Sequence, residues 1–167
     1  MSDTSVRKLY IVRHGHRDKD QGHLYDNGLS PKGKAQAKAL VPLLKPALQG
    51  HDVKFLSSPR KRCVETLQPI ARALKRGVSI DELLTEQEPD EGSSALDTRV
   101  VKFLKEWNKS NDPLWVICSH GDWIPLALEW LLERPISLKK AGWIEITFPN
   151  GKPKMGELVQ DVLLMRS

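Results

Sequence analysis

The 167-residue sequence predicts an α/β fold, a three-layer α/β/α sandwich around a mostly parallel sheet, with an antiparallel edge from the last two strands. Three observations carry that prediction. Short runs rich in β-branched and aromatic residues alternate with longer stretches of helical periodicity, the pattern that places parallel strands between covering helices. The two clearest runs, Leu9-Tyr10-Ile11-Val12 and Leu114-Trp115-Val116-Ile117-Cys118, are apolar throughout, as strands covered on both faces are. No internal repeat, low-complexity tract or linker divides the chain, which reads as one domain over residues 1–167.

The elements follow in order. The first strand ends at Arg13-His14-Gly15, and a polar loop runs from Asp18 to Gly28. Ser30-Pro31 is a cap followed by proline at the first helical position, and Ala35, Ala37, Leu40 and Leu44 continue a helix over about Pro31–Leu44, with Pro46 near its end. A second strand, Val53–Leu56, runs into Ser57-Ser58-Pro59-Arg60, and Ser58-Pro59 predicts a helix opening there and continuing through Leu67 and Ile70, with Pro69 as a kink. Val78–Ile80 is a short third strand, followed by an acidic stretch from Asp81 to Glu91. A helix is expected over about Ser94–Trp107, a buried strand over Leu114–Cys118, and an apolar helix over Trp123–Leu132. Asp122 is expected to cap the last of these. Ile144–Phe148 and Leu158–Leu164 read as late strands joined around Pro149-Asn150-Gly151, and the five tryptophans as core.

Composition narrows the function. A hydrophobic fraction of 40% and a charged fraction of 28% describe a folded chain, not a disordered one. The net charge of +5 favours anionic partners without choosing among them. Lys61-Arg62 and Lys139-Lys140 lack interleaved stacking aromatics, so they read as solvated surface and no nucleic-acid partner is expected. Cys63 and Cys118 show neither metal spacing nor a disulfide framework, and Cys118 reads as a buried, inert thiol. Met1–Ser5 lacks the apolar segment of a signal peptide, and no apolar run is long enough to span a membrane, so a cytoplasmic location is expected.

Chemistry is expected where strands end. In an open α/β sheet ligands bind at the carboxyl ends of the strands, which here deliver Arg13-His14, Arg60 and His120. Two arginines and two histidines around one point suit a phosphoryl group, whose charged oxygens need donors from several directions. An unprotonated histidine can also attack phosphorus.

These segments carry a resemblance. Leu9–Gly15, Ser57-Ser58-Pro59-Arg60-Lys61-Arg62-Cys63-Val64-Glu65-Thr66 and Val116–Asp122 resemble, in the right order, the signatures of the histidine phosphatase superfamily, the phosphoglycerate-mutase-like group. The resemblance implies that His14 is the nucleophile of a covalent phosphohistidine, that Arg13, Arg60 and His120 hold the phosphoryl oxygens, and that neither metal nor other cofactor is needed. Arg17 is a further phosphate contact in that pattern. Leu84-Thr85-Glu86 matches the context in which the family places a general acid, so Glu86 is the expected proton donor, with Glu88, Glu82 and Asp122 as alternatives. The Trp-Glu-Gly that follows in mutase-like members is absent, and Gln87-Glu88-Pro89 stands there instead. Absence of room for covering insertions makes the chain similar to the short SixA-type phosphohistidine phosphatases. Phosphohistidine proteins are therefore the expected substrate, and small phosphomonoesters the alternative.

Two readings of other classes compete. His14-Gly15-His16-Arg17-Asp18 has the His-x-His-x-Asp order of metallo-β-lactamase-like hydrolases, with His23 and His120 as further ligands, although Lys19 stands where that pattern has histidine. A phosphate-binding module without turnover would also need the same two histidines and arginines.

Overall fold

The structure, a computed structural model, describes residues 6–19 and 26–165. Six strands, β1 (Lys8–Arg13), β2 (Val53–Ser57), β3 (Val78–Ile80), β4 (Leu114–Ser119), β5 (Trp143–Thr147) and β6 (Lys154–Val159), form one sheet in the order β3-β2-β4-β1-β5-β6. Strands β3, β2, β4 and β1 run parallel, while β5 and β6 add an antiparallel edge. Four helices accompany them, α1 (Pro31–Leu48), α2 (Lys61–Ala73), α3 (Ser93–Lys109) and α4 (Trp123–Leu132). This is the expected α/β architecture.

Strand alternation explains the layers. Leu9 and Ile11 of β1 face a core shared with α3 and α4, whereas Tyr10 and Val12 face a second core shared with α1 and α2. The central strands are buried on both faces, which is why their sequences are continuously apolar. At the middle of the sheet β1 and β4 end side by side, with Arg13 opposite Ser119. His14 and His120 thus leave the sheet as neighbours.

Several expectations are corrected. Helix α1 continues past Leu44 to Leu48, because Leu48 is fully buried while Pro42 and Pro46, four residues apart, share the solvent side where a freed carbonyl meets water. Helix α2 begins at Lys61, with Arg60 at its cap position; Ser58 Oγ lies 2.8 Å from His120 Nε2 and accepts from the Arg60 N–H ahead of the helix. The carboxylate of Asp122 does not cap α4; it accepts from the Gln87 backbone N–H at 3.0 Å. The last strand is Lys154–Val159, not Leu158–Leu164: the tight turn at Pro149–Gly151 brings Lys154 opposite Thr147 and starts the pairing early. Trp130 is 43% exposed, whereas the other four tryptophans are buried.

Candidate active site

His14 is 5% exposed and sits just beyond β1. Its Nδ1 lies 2.8 Å from the Gly15 carbonyl oxygen, which can only accept, so Nδ1 carries the hydrogen and Nε2 keeps its lone pair. Burial is the main force lowering its pKa, to about 2, with His120, Arg62 and Arg13 acting in the same direction against the Gly15 bond. The ring is neutral at physiological pH and Nε2 is unprotonated. Gly15 is fixed in turn by its N–H, which donates to Thr66 Oγ1 at 2.9 Å.

His120, 2% exposed, faces it with ring centroids 5.3 Å apart. Its Nε2 is 2.8 Å from Ser58 Oγ, which already accepts from the Arg60 N–H at 3.3 Å. Its Nδ1 is on the side of Glu86 Oε2 and Arg62 Nη2, each 3.5 Å away. The buried Cys63 thiol adds a contact to Nε2 at 3.5 Å.

The two cationic forks are placed differently. Arg13 donates through Nη1 to the Leu138 carbonyl at 2.8 Å, and its guanidinium lies so close to Gly121 that a Cβ there would come within 2.9 Å of Nη2. A glycine after His120 thus leaves room for the Arg13 guanidinium. The second fork is Arg62, not Arg60. Arg62 is 4% exposed, lines the cleft with His14 and His120, and donates through Nη2 to Glu86 Oε2 at 2.6 Å. The Nε atoms of Arg13 and Arg62 are buried and make no hydrogen bond among the described residues. Arg60 lies outside the lining; its Nε donates to Glu86 Oε1 at 2.8 Å and its Nη2 to Glu88 Oε1 at 2.9 Å. Arg62 thus lines the cleft where Arg60 was expected, and Arg60 binds the carboxylates of the acidic loop.

Glu86 does reach the cleft. Burial pushes its pKa up, but His120, Arg62 and Arg60 outweigh burial and hold the carboxyl below its usual range. Its loop is tied down by Arg99 of α3, which donates to the carbonyls of Leu83, Thr85 and Glu86 and to the Glu91 carboxylate. Glu88 is held by Arg60, and Glu82 is exposed on a short 3-10 turn away from the lining. Asp122 borders the cleft while binding Gln87. Arg17 lines it too.

The metal reading finds little geometric support in this arrangement. His16 turns away, its Nδ1 2.7 Å from Ser30 Oγ, and among the described residues no group of three or more His, Cys, Asp or Glu side chains could hold a metal ion. His23 lies outside the described residues. Among those residues no helix is long and apolar enough to cross a membrane.

An unprotonated, buried histidine stands beside a second histidine and two arginine forks at the end of a central parallel strand, an arrangement whose donors suit a phosphoryl group. Residues 9–91 match the model of the histidine phosphatase superfamily (branch 1), and the chain belongs to that superfamily. An 8-oxo-(d)GTP phosphatase of Mycolicibacterium smegmatis is 30% identical over 132 residues; the match covers 77% of this chain, which spans only 38% of that relative. The fold is shared with a phosphoserine phosphatase of Entamoeba histolytica, at a TM-score of 0.73 and 21% identity over 95% of this chain and 100% of that one. It is also shared with a mycobacterial glucosyl-3-phosphoglycerate phosphatase, at a TM-score of 0.73 and 19% identity over 92% and 98% of the two chains.

Proposed function

We propose that the protein is a phosphatase that works through a covalent phosphohistidine on His14 and needs no metal for either step. The observation that carries this reading is the tautomer of His14: with Nδ1 committed to the Gly15 carbonyl, the nitrogen left free is an unprotonated nucleophile beside Arg13, Arg62 and His120. In the first step Nε2 forms a bond to phosphorus while the bond from phosphorus to the leaving oxygen breaks, its electron pair departing with the leaving group. Arg13, Arg62 and His120 take up the charge on the phosphoryl oxygens. Water then attacks phosphorus, the P–N bond breaks, and orthophosphate and neutral His14 are regenerated.

Glu86 donates the proton to a poor leaving group. Free, it is held ionised by two arginines and His120. A bound phosphoryl dianion competes for Arg62 and adds negative charge beside the carboxyl, both of which raise its pKa toward that of an acid. The cleft is open, about 490 Å³, and the relatives named above are phosphatases whose names specify small phosphorylated compounds. Small phosphorylated molecules are therefore the favoured substrates.

Phosphohistidine proteins are the second reading, favoured by the low-lying Glu86 pKa, because a P–N bond leaves with little acid assistance. Turnover of p-nitrophenyl phosphate, 3-phosphoglycerate and a phosphohistidine protein, each with a chelator and each repeated with His14→Ala, tests the assignment. Chelator-resistant turnover that vanishes in the variant supports it, and the best substrate decides between the two classes. Metal-dependent turnover returns the His-x-His reading, and phosphate binding without turnover makes the protein a binding module.

A further inference from the structure

Between Thr85 and Gly92 the chain that carries Glu86 forms neither helix nor strand. Such a stretch holds its side chains only as firmly as its backbone is anchored. The anchor here is Arg99 of α3, whose five N–H groups are all engaged. Nη1 donates to the carbonyls of Leu83 at 3.1 Å and Thr85 at 2.7 Å, and Nη2 to the carbonyl of Glu86 itself at 3.0 Å. Nε and Nη2 bind the two carboxylate oxygens of Glu91 at 2.7 and 2.8 Å. Glu91 also accepts from the Glu88 N–H at 3.0 Å, which closes the loop behind Glu86. The Arg99 bonds hold the Glu91 carboxyl well below its usual range, and Glu91 raises the Arg99 pKa, so the pair stays charged near neutrality.

Glu86 is thus held at two ends, by Arg60 and Arg62 at its carboxylate and by Arg99 at its carbonyl. A substrate affects the two holds differently. A bound phosphoryl dianion competes for Arg62 and loosens the carboxylate, whereas Arg99 and Glu91 lie outside the cleft lining and Arg99 has no donor left to give. A lysine could not replace it, because three donors on a point charge cannot span three carbonyls and a carboxylate.

We propose that Arg99, paired with Glu91, is the positioning residue that keeps Glu86 within reach of the leaving oxygen once the phosphoryl group has taken Arg62, and that it thereby sets which esters the site can hydrolyse. The proposal rests on the reading of Glu86 as proton donor. With the loop pinned, the Glu86 proton passes to the leaving oxygen as the bond from phosphorus breaks, so poor leaving groups depart as alcohols. Without the pin, only groups that leave as anions turn over well.

The test compares phenyl phosphate, whose leaving group needs a proton, with p-nitrophenyl phosphate, whose leaving group departs as the anion. Arg99→Met is expected to lower kcat/KM about 30-fold for phenyl phosphate and less than about threefold for p-nitrophenyl phosphate. Added to Glu86→Gln, it is expected to cost less than about twofold more on either ester, because both changes remove one proton transfer. Glu91→Gln, which keeps the three carbonyl bonds, is expected to show the same preference at about fivefold, and it serves as the test if Arg99→Met does not fold. Equal losses on both esters, or a full further loss on top of Glu86→Gln, overturns the positioning role and leaves Arg99 a support of the fold alone. The readings beneath it fail differently. If Glu86→Gln itself loses both esters equally, Glu86 is not the donor, and if the parent protein turns over neither ester, the phosphatase reading falls; either result takes the positioning role with it.

Discussion

The two sides of the cleft are built by different means. On the β1 and β4 side, His14, Arg13 and His120 follow directly from strand ends and are fixed by neighbouring backbone and small side chains: the Gly15 carbonyl, the Leu138 carbonyl and Ser58. On the β2 side, Arg60, Arg62, Glu86 and Glu88 form a chain of ion pairs between a helix and a loop, with Arg99 holding the loop from behind. The first side is preorganised by its place in the sheet and does not depend on what is bound. The second is a balance of charges, and an arriving phosphoryl dianion must alter it, because Glu86 and the ligand compete for Arg62.

The largest effect should come from the preorganised side. His14→Ala is expected to lower kcat by at least ~10⁴-fold in steady-state assays while the melting temperature stays near that of the parent. Next comes the contrast that defines the other side: Arg62→Ala should cost about 10²–10³-fold in kcat/KM, and Arg60→Ala only about tenfold, since Arg60 reaches the chemistry through Glu86. Equal losses would erase the distinction between a phosphate ligand and a positioning residue.

Glu86→Gln sharpens the comparison by leaving group. A fall of about 10²-fold on an alkyl phosphate, but under about tenfold on phosphohistidine, is expected if the carboxyl donates a proton. Similar losses on both would reduce Glu86 to an electrostatic partner of Arg62.

The smallest effects are on stability. A Cβ at Gly33 would clash with the His16 carbonyl oxygen, so Gly33→Ala should destabilise the fold by about 2 kcal/mol in urea titration. For pH, the sign follows from His14, whose native pKa of about 2 lies below its ordinary 6.5. The unfolded chain binds this proton below pH 6.5 and the native chain does not, so stability should fall as pH drops from 6.5, and His14→Asn should flatten that fall. The same low pKa predicts no loss of nucleophile between pH 7 and pH 5, so a fall of kcat/KM over that range that tracks protonation of His14 would contradict it.

How far the sequence revealed the site depended on how each residue is held. Arg13, His14 and His120 stand at fixed offsets from apolar runs, and a strand that must be buried on both faces shows where it ends. Glu86 was visible through its local context. Arg62 was not, because its direction depends on where α2 begins. Ser58-Pro59 imitates a helix start, but the helix begins at Lys61, and the Ser58 hydroxyl lies against His120, 62 residues away. The four-residue spacing from Arg62 to Thr66, whose hydroxyl holds the Gly15 N–H, was the local signal available. The last strand was misplaced for a related reason: an apolar run suggested Leu158–Leu164, but turn geometry set the pairing from Lys154.

The most direct test of the central claim is to quench the protein during turnover of a phosphate ester, with chelator present, and locate the bound phosphoryl group by mass spectrometry of its peptides. An acid-labile, base-stable phosphate on His14, formed and lost at rates compatible with kcat, is the predicted result. Turnover without any phosphorylated intermediate, or with the label on another residue, would contradict nucleophilic attack by His14.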